Sequence, residues 1–205
     1  MKHKTIIAAL LATTCCLFYN CTSSSGSEST DSDSTKASSV TAQYGGYANQ
    51  VAWGEHLVII GGCNDCHTPK KMTAQGPADD PDRRLSGSPV PALLPAVTPE
   101  QVAKGMAATV DETAWIGPWG KSFAANITSD ATGIGSWTEA QFINCLRKGV
   151  YQGLDGARPL MPPMPWKGYS QMTDNEIKAI FAYLKSTTPI HNVVPQYEPP
   201  VTASK

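Results

Sequence analysis

Residues 63–67 read Cys-Asn-Asp-Cys-His, preceded by Gly61-Gly62 and followed by Thr68-Pro69. No other stretch constrains the chain as tightly, because two thiols and an imidazole at this spacing have few common uses. A structural zinc site closes with four protein ligands, and beyond the motif only Cys145 and the distant His191 offer to complete one. A redox dithiol needs the two thiols alone and sits at a helix start after a strand. Covalent haem attachment uses all three residues in this order: the thiols add across the two vinyl groups, and the adjacent histidine turns under the ring to ligate iron. One motif implies one covalent haem c, anchored by Cys63 and Cys66 and ligated by His67.

The surrounding text predicts helices separated by long loops. Residues 51–60 are apolar and stop at Gly61-Gly62, so a helix delivers Cys63, with Val51, His56 or Leu57, and Ile60 able to share a face. Thr98-Pro99 with Gln101, Thr138 with Gln141, and Thr173 with Glu176 are capping-box starts. The second predicts a helix with Phe142, Cys145 and Leu146 on one side and Gly149 at its end; the third places Ile177, Ile180, Phe181 and Leu184 at helical spacing. Residues 68–95 are rich in proline and glycine and read as loop. No run alternates long enough to predict a sheet, so the expected class is all-α.

The N-terminus has a basic start and then roughly fifteen mostly apolar residues, short for a bilayer span but suited to a signal-peptide core. Residues 1–20 are therefore expected to be a signal peptide. Cys21 is the expected lipidation site at the start of the mature chain, although Asn20 stands where a small residue is usual. Residues 21–46 read as a lipidated cysteine and disordered Ser-rich tether, with a reach of ~25 to 30 Å for about 25 flexible residues. Residues 47–190 form the expected haem domain and 191–205 a tail strapped over its surface. The net charge of -1 lacks the basic footprint of a nucleic-acid binder, and no such partner is expected.

A sixth ligand must approach the iron from the far side, as histidine or methionine. His56 lies too near the motif in its helix, Met72 follows His67 too closely, Met106 and Met172 fall in or beside helices, and His191 is in the tail. This leaves Leu-Met-Pro-Pro-Met-Pro-Trp at 160–166, whose prolines predict a stiff extended loop. Polyproline geometry repeats every three residues, so Met161 and Met164 would project alike, and local geometry leaves both open.

Taken together, GGCNDCHTP, NITSDATGIGSWTEAQF, LRKG, LMPPMPW and YSQMTDNEIKAIFAYL resemble the class I cytochrome c domains of bacterial periplasmic cytochromes, close to those in cytochrome subunits of membrane-bound alcohol and sugar-acid dehydrogenases. The resemblance covers about residues 50–187 and implies a cytochrome c-like fold of short helices around one haem. It also implies Met164 as the axial ligand, Trp137 near a haem propionate, and a proline carbonyl, from Pro118 or else Pro89, on the ring N–H of His67. Family subunits carry three haem domains in series; the single motif here implies a single-haem carrier or a small accessory.

The function expected on this basis is electron transfer between periplasmic or membrane-bound redox partners, with the chain held at a membrane by its lipid and transforming no substrate. Two other readings stand beside it: a haem enzyme or gas sensor with an open distal site, and an electron-relay subunit of a larger dehydrogenase or oxidase. Arg147, Lys148, Arg158 and Lys167 flank the methionine loop as a candidate basic rim for an acidic partner.

Overall fold

The computed structural model describes residues 43–200. The signal peptide, Cys21 and nearly all of the tether lie outside the described residues. Helix α1 (Gln50–Ile60) starts where the Asn49 side chain accepts the Ala52 N–H, at 2.9 Å. It ends at Gly61, and the left-handed Gly62 turns the chain into α2 (Cys63–His67).

The face that α1 buries is Gly54, Leu57 and Val58, with Trp53 beside them, whereas Val51 and Ile60 are exposed at 39% and 64%. The expected face is therefore rotated. Apolar residues occur all round this helix, so their spacing did not choose a side. Gly54 chose it: a Cβ there would lie 1.9 Å from the carbonyl oxygen of Ala179, so only glycine lets the last helix approach this closely.

The chain after His67 is not plain loop. Strands β1 (Lys70–Thr73) and β2 (Gly76–Asp79) form an antiparallel hairpin with Lys70 opposite Asp79, followed by a 3-10 turn at Pro81–Arg83. Helix α3 (Pro99–Ala103) carries the expected capping box. A second antiparallel sheet follows in the order β3 (Ala108–Thr109), β4 (Ala114–Gly117) and β5 (Gly120–Phe123). The fold is thus mixed, and the all-α expectation is corrected by these strands. Each is too short to print a two-residue alternation, and each hairpin is set by its turn.

Helix α4 (Glu139–Lys148) runs from its Thr138/Gln141 box to a left-handed Gly149 and buries Phe142, Cys145 and Leu146 as expected. A 3-10 turn at Tyr151–Gly153 and the short α5 (Trp166–Tyr169) lead to α6 (Asp174–Ser186), which has its own box at Thr173/Glu176. Along α6, Ile177, Ile180 and Leu184 are buried, and Phe181 is partly buried against α4, its ring 5.2 Å from that of Phe142. The core joins α1, α4 and α6 with Leu85 and Ile134, two loop residues at 0% and 1% exposure. Among the described residues, no helix is long and apolar enough to cross a membrane.

The segment after α6 lies against the body. Asn192 donates from its amide to the carbonyls of Ser86 (2.7 Å) and Ser88 (2.8 Å), and Ile190 offers its carbonyl to Asn126. Further on, Glu198 bridges to Lys121 of β5, where the left-handed Gly120 leaves room: a Cβ there would sit 2.1 Å from the Glu198 carbonyl.

Candidate haem site

Helix α2 is little more than one turn, which suffices to place Cys63, Cys66 and His67 along one short segment. The cysteines are free thiols and half-buried, with no disulfide between them. Burial pushes the Cys63 thiol up to about 11 and raises Cys66 as well. These are therefore neutral thiols rather than activated thiolates.

His67 is buried, and its Nδ1 lies 2.7 Å from the carbonyl oxygen of Ala125. A carbonyl only accepts, so Nδ1 carries the proton and donates it, leaving the Nε2 lone pair free. Burial lowers the imidazole below its ordinary value, opposed by the Ala125 contact, and the ring is held in its neutral, ligating form. The backbone is fastened too. Gly87 donates to the His67 carbonyl at 2.7 Å, and the Leu85 N–H reaches the Thr68 hydroxyl at 3.1 Å.

The carbonyl partner of His67 corrects the expectation of Pro118 or Pro89. Pro118 falls in the two-residue turn between Gly117 and Gly120, at the tip of the β4–β5 hairpin. The chain leaves β5 through Ala124 and Ala125, where Ser88 donates to Ala124 at 2.9 Å and Ala125 meets the ring.

The methionine loop comes from a segment far along the chain, after α4. It is a turn and not an extended run: the Met164 N–H donates to the Met161 carbonyl at 3.2 Å, and the Trp166 N–H to that of Met164 at 2.9 Å. Prolines restrict the backbone, but the turn hydrogen bond decides its direction, so the two methionines are not equivalent. Met164 is partly buried against the core, a group from which Met161 is absent, and it borders an open depression of about 240 Å³ with Leu160, Trp166 and the prolines between. The Tyr169 hydroxyl donates to the Gly61 carbonyl at 2.6 Å, tying the segment after this loop to the residues that introduce Cys63.

The other ligand candidates are placed elsewhere. His56 stacks on Tyr47 with ring centroids 4.8 Å apart, His191 is exposed and 3.6 Å from Asp130, Met72 and Met106 are exposed, and Met172 packs on the core. Trp137 is partly buried against the core, and its indole N–H makes no hydrogen bond among the described residues. Most of the expected basic rim is paired internally: Arg147 with Asp174 at 2.6 Å, Lys148 with Asp155 at 3.0 Å, and Arg158 over the ring of Tyr151 at 4.1 Å.

Sequence reasoning missed Ala125 and Tyr169, which no local pattern marks. It also missed Lys70, whose only signal is its position just beyond the motif.

Two free thiols, a neutral histidine with one nitrogen occupied and the other available, and a methionine loop tied to the same segment form a donor set that fits covalent haem. The chain's similarities lie among cytochrome subunits of dehydrogenases. It is 41% identical over 68 residues to the fructose dehydrogenase cytochrome subunit of Gluconobacter japonicus, covering 33% of this chain and 13% of that protein. Over 143 residues it is 29% identical to the gluconate 2-dehydrogenase cytochrome c subunit of Pantoea cypripedii, covering 69% of this chain and 23% of the relative. It is also 37% identical over 83 residues to the cytochrome c subunit of the quinone-dependent alcohol dehydrogenase of Gluconacetobacter polyoxogenes, covering 40% of this chain and 16% of that protein. The chain thus matches less than a quarter of the length of each. No protein-family model matches it. Electron transfer by a c-type haem is the activity these similarities support.

Proposed function

We propose that this chain is a single-haem c-type electron carrier at the periplasmic face of a bacterial membrane, exported by residues 1–20 and anchored by a lipid on Cys21. The observation that carries the reading is the neutral His67, its Nδ1–H given to Ala125, inside a motif with two free thiols. Bound haem supplies an iron that gains and loses one electron. Cys63 and Cys66 would hold the ring covalently and His67 would offer Nε2 to the iron, while the Ala125 carbonyl on Nδ1 orients the imidazole and makes it a stronger donor. Met164 would supply a thioether to the iron, a soft ligand that favours the ferrous state. Trp137 would lend its indole N–H to a propionate. With His67 and Met164 both given to the iron, the site would move electrons and transform no substrate.

The test is optical and chemical. The mature protein should keep its haem through denaturing electrophoresis, and its ferric form should show the weak near-infrared charge-transfer band of methionine-ligated haem. A Cys63→Ala, Cys66→Ala variant that still held haem after acid-acetone extraction would refute covalent attachment. Absence of the band in a haem-loaded protein would favour an open distal site, hence a haem enzyme or gas sensor. Cys21→Ser should move the protein from membranes to the soluble periplasmic fraction.

A second reading is favoured by the relatives' names: service as the electron-relay subunit of a larger dehydrogenase or oxidase. Both readings share one site. Co-purification with a dehydrogenase under mild detergent marks the relay subunit, and isolation alone marks the separate carrier.

A further inference from the structure

The C-terminal end of α2 is closed by a lysine that the sequence presents as half of an ordinary basic pair. Lys70 and Lys71 are neighbours on β1, and a strand sends successive side chains to opposite faces. Lys71 turns outward to Asp80 and Asp82. Lys70 turns inward, its side chain 12% exposed, and its Nζ donates to the carbonyls of Asp65 at 2.7 Å and Thr68 at 3.0 Å, with that of Asn64 3.5 Å away. These oxygens belong to α2 and its cap, the end of a helix where unpaired carbonyls collect partial negative charge. The hairpin register then returns Asp79 opposite Lys70, with Oδ1 2.8 Å from Nζ and the carboxylate half in solvent, 52% exposed.

We propose that Lys70 and Asp79 form a charge pair that sets the redox poise of the haem site proposed above, and the inference rests on that reading. Reduction adds one negative charge to the site. A cation close to the turn that carries Cys66 and His67 stabilises the reduced state, and a carboxylate behind it opposes this. The two charges do not cancel as seen from the site. Lys70 is mostly out of water, where its field is weakly screened, whereas Asp79 faces solvent, where its field is strongly screened. The hairpin in a stretch that reads as loop is what brings the carboxylate back to the lysine.

The test uses the purified holoprotein in parent form and as Lys70→Met, Asp79→Asn and the double variant. Haem staining comes first: a parent without covalent haem overturns the haem reading itself, a different failure from the one tested next. In haem-loaded protein, Lys70→Met should lower the ferrous-to-ferric ratio at a fixed applied potential roughly threefold to tenfold, ~30 to 60 mV for a one-electron couple. Asp79→Asn should raise the ratio by a smaller factor, and the double variant should fall between. A purely structural clip would loosen the same turn in both single variants and move both in one direction. Shifts of the same sign, or none, overturn the proposal. Should Lys70→Met fail to fold, Asp79→Asn alone decides, since only an upward shift supports the pair.

Discussion

The hydroxyl of Tyr169 and the carbonyl of Gly61, 2.6 Å apart, join segments separated by 108 residues. Gly61 ends the helix that delivers Cys63, and Tyr169 closes the short helix that follows Met164. One hydrogen bond thus spans the two ends of the candidate site. Burial pushes the tyrosine hydroxyl up to about 12, so it stays protonated and donating throughout the neutral range.

Tyr169→Phe keeps the ring and removes the donor, leaving the Gly61 carbonyl without this partner. It is expected to cost about 1 to 2 kcal/mol, seen as a lower urea midpoint with an unchanged slope. In haem-loaded protein the near-infrared band should weaken as well, because the methionine loop loses its tie to the attachment segment. Loss of stability with an unaltered band would confine Tyr169 to a packing role.

The turn at 161–164 separates the two methionines that local sequence left equivalent. Met164→Ala should abolish the near-infrared band, lower the reduction potential and open the iron to carbon monoxide or cyanide. Met161→Ala should keep the band and cost less than about 2 kcal/mol, since its side chain is not part of the core group. The reverse pattern would move the ligand to Met161.

Asn192 holds the segment after α6 to the loop behind His67 through two amide hydrogen bonds to Ser86 and Ser88. Asn192→Ala should cost about 1 to 3 kcal/mol and speed hydrogen exchange at the Ser88 and Gly87 amides. Gly87 donates to the His67 carbonyl, so faster exchange there would report loosening of the proximal side. Unchanged exchange would show that the strap is not coupled to the site.

Asp80 gives the fold an acid-sensitive clamp. Its side chain is 2% exposed, and burial alone would push its carboxyl up, but hydrogen bonds from Lys71, Arg83 and the Asp82 N–H outweigh this and hold it below its ordinary 3.8. A carboxylate depressed in the folded state contributes stability above its unfolded pKa and loses it as pH falls through the folded one. Urea midpoints should therefore fall below about pH 4 in the parent. Asp80→Asn should be less stable at neutral pH and show a flatter acid limb, and an equally steep limb would remove Asp80 from the account.

The features that were legible in the sequence are those whose chemistry closes within a few residues. The Cys63, Cys66 and His67 spacing, the three capping boxes and the left-handed Gly149 are all local agreements between side chain and backbone, and the structure holds each helix start and stop where they indicate. Strands of two to four residues left no periodic trace, so the hairpins stayed hidden. The face of α1 depended on Ala179 arriving against Gly54, and the tautomer of His67 on a carbonyl 58 residues away. Lys70 reads as solvated charge until the hairpin register sets Asp79 across from it. Hydrogen-bond direction and burial belong to pairs of groups, and where the second member comes from a distant segment, only the folded chain determines which pair forms.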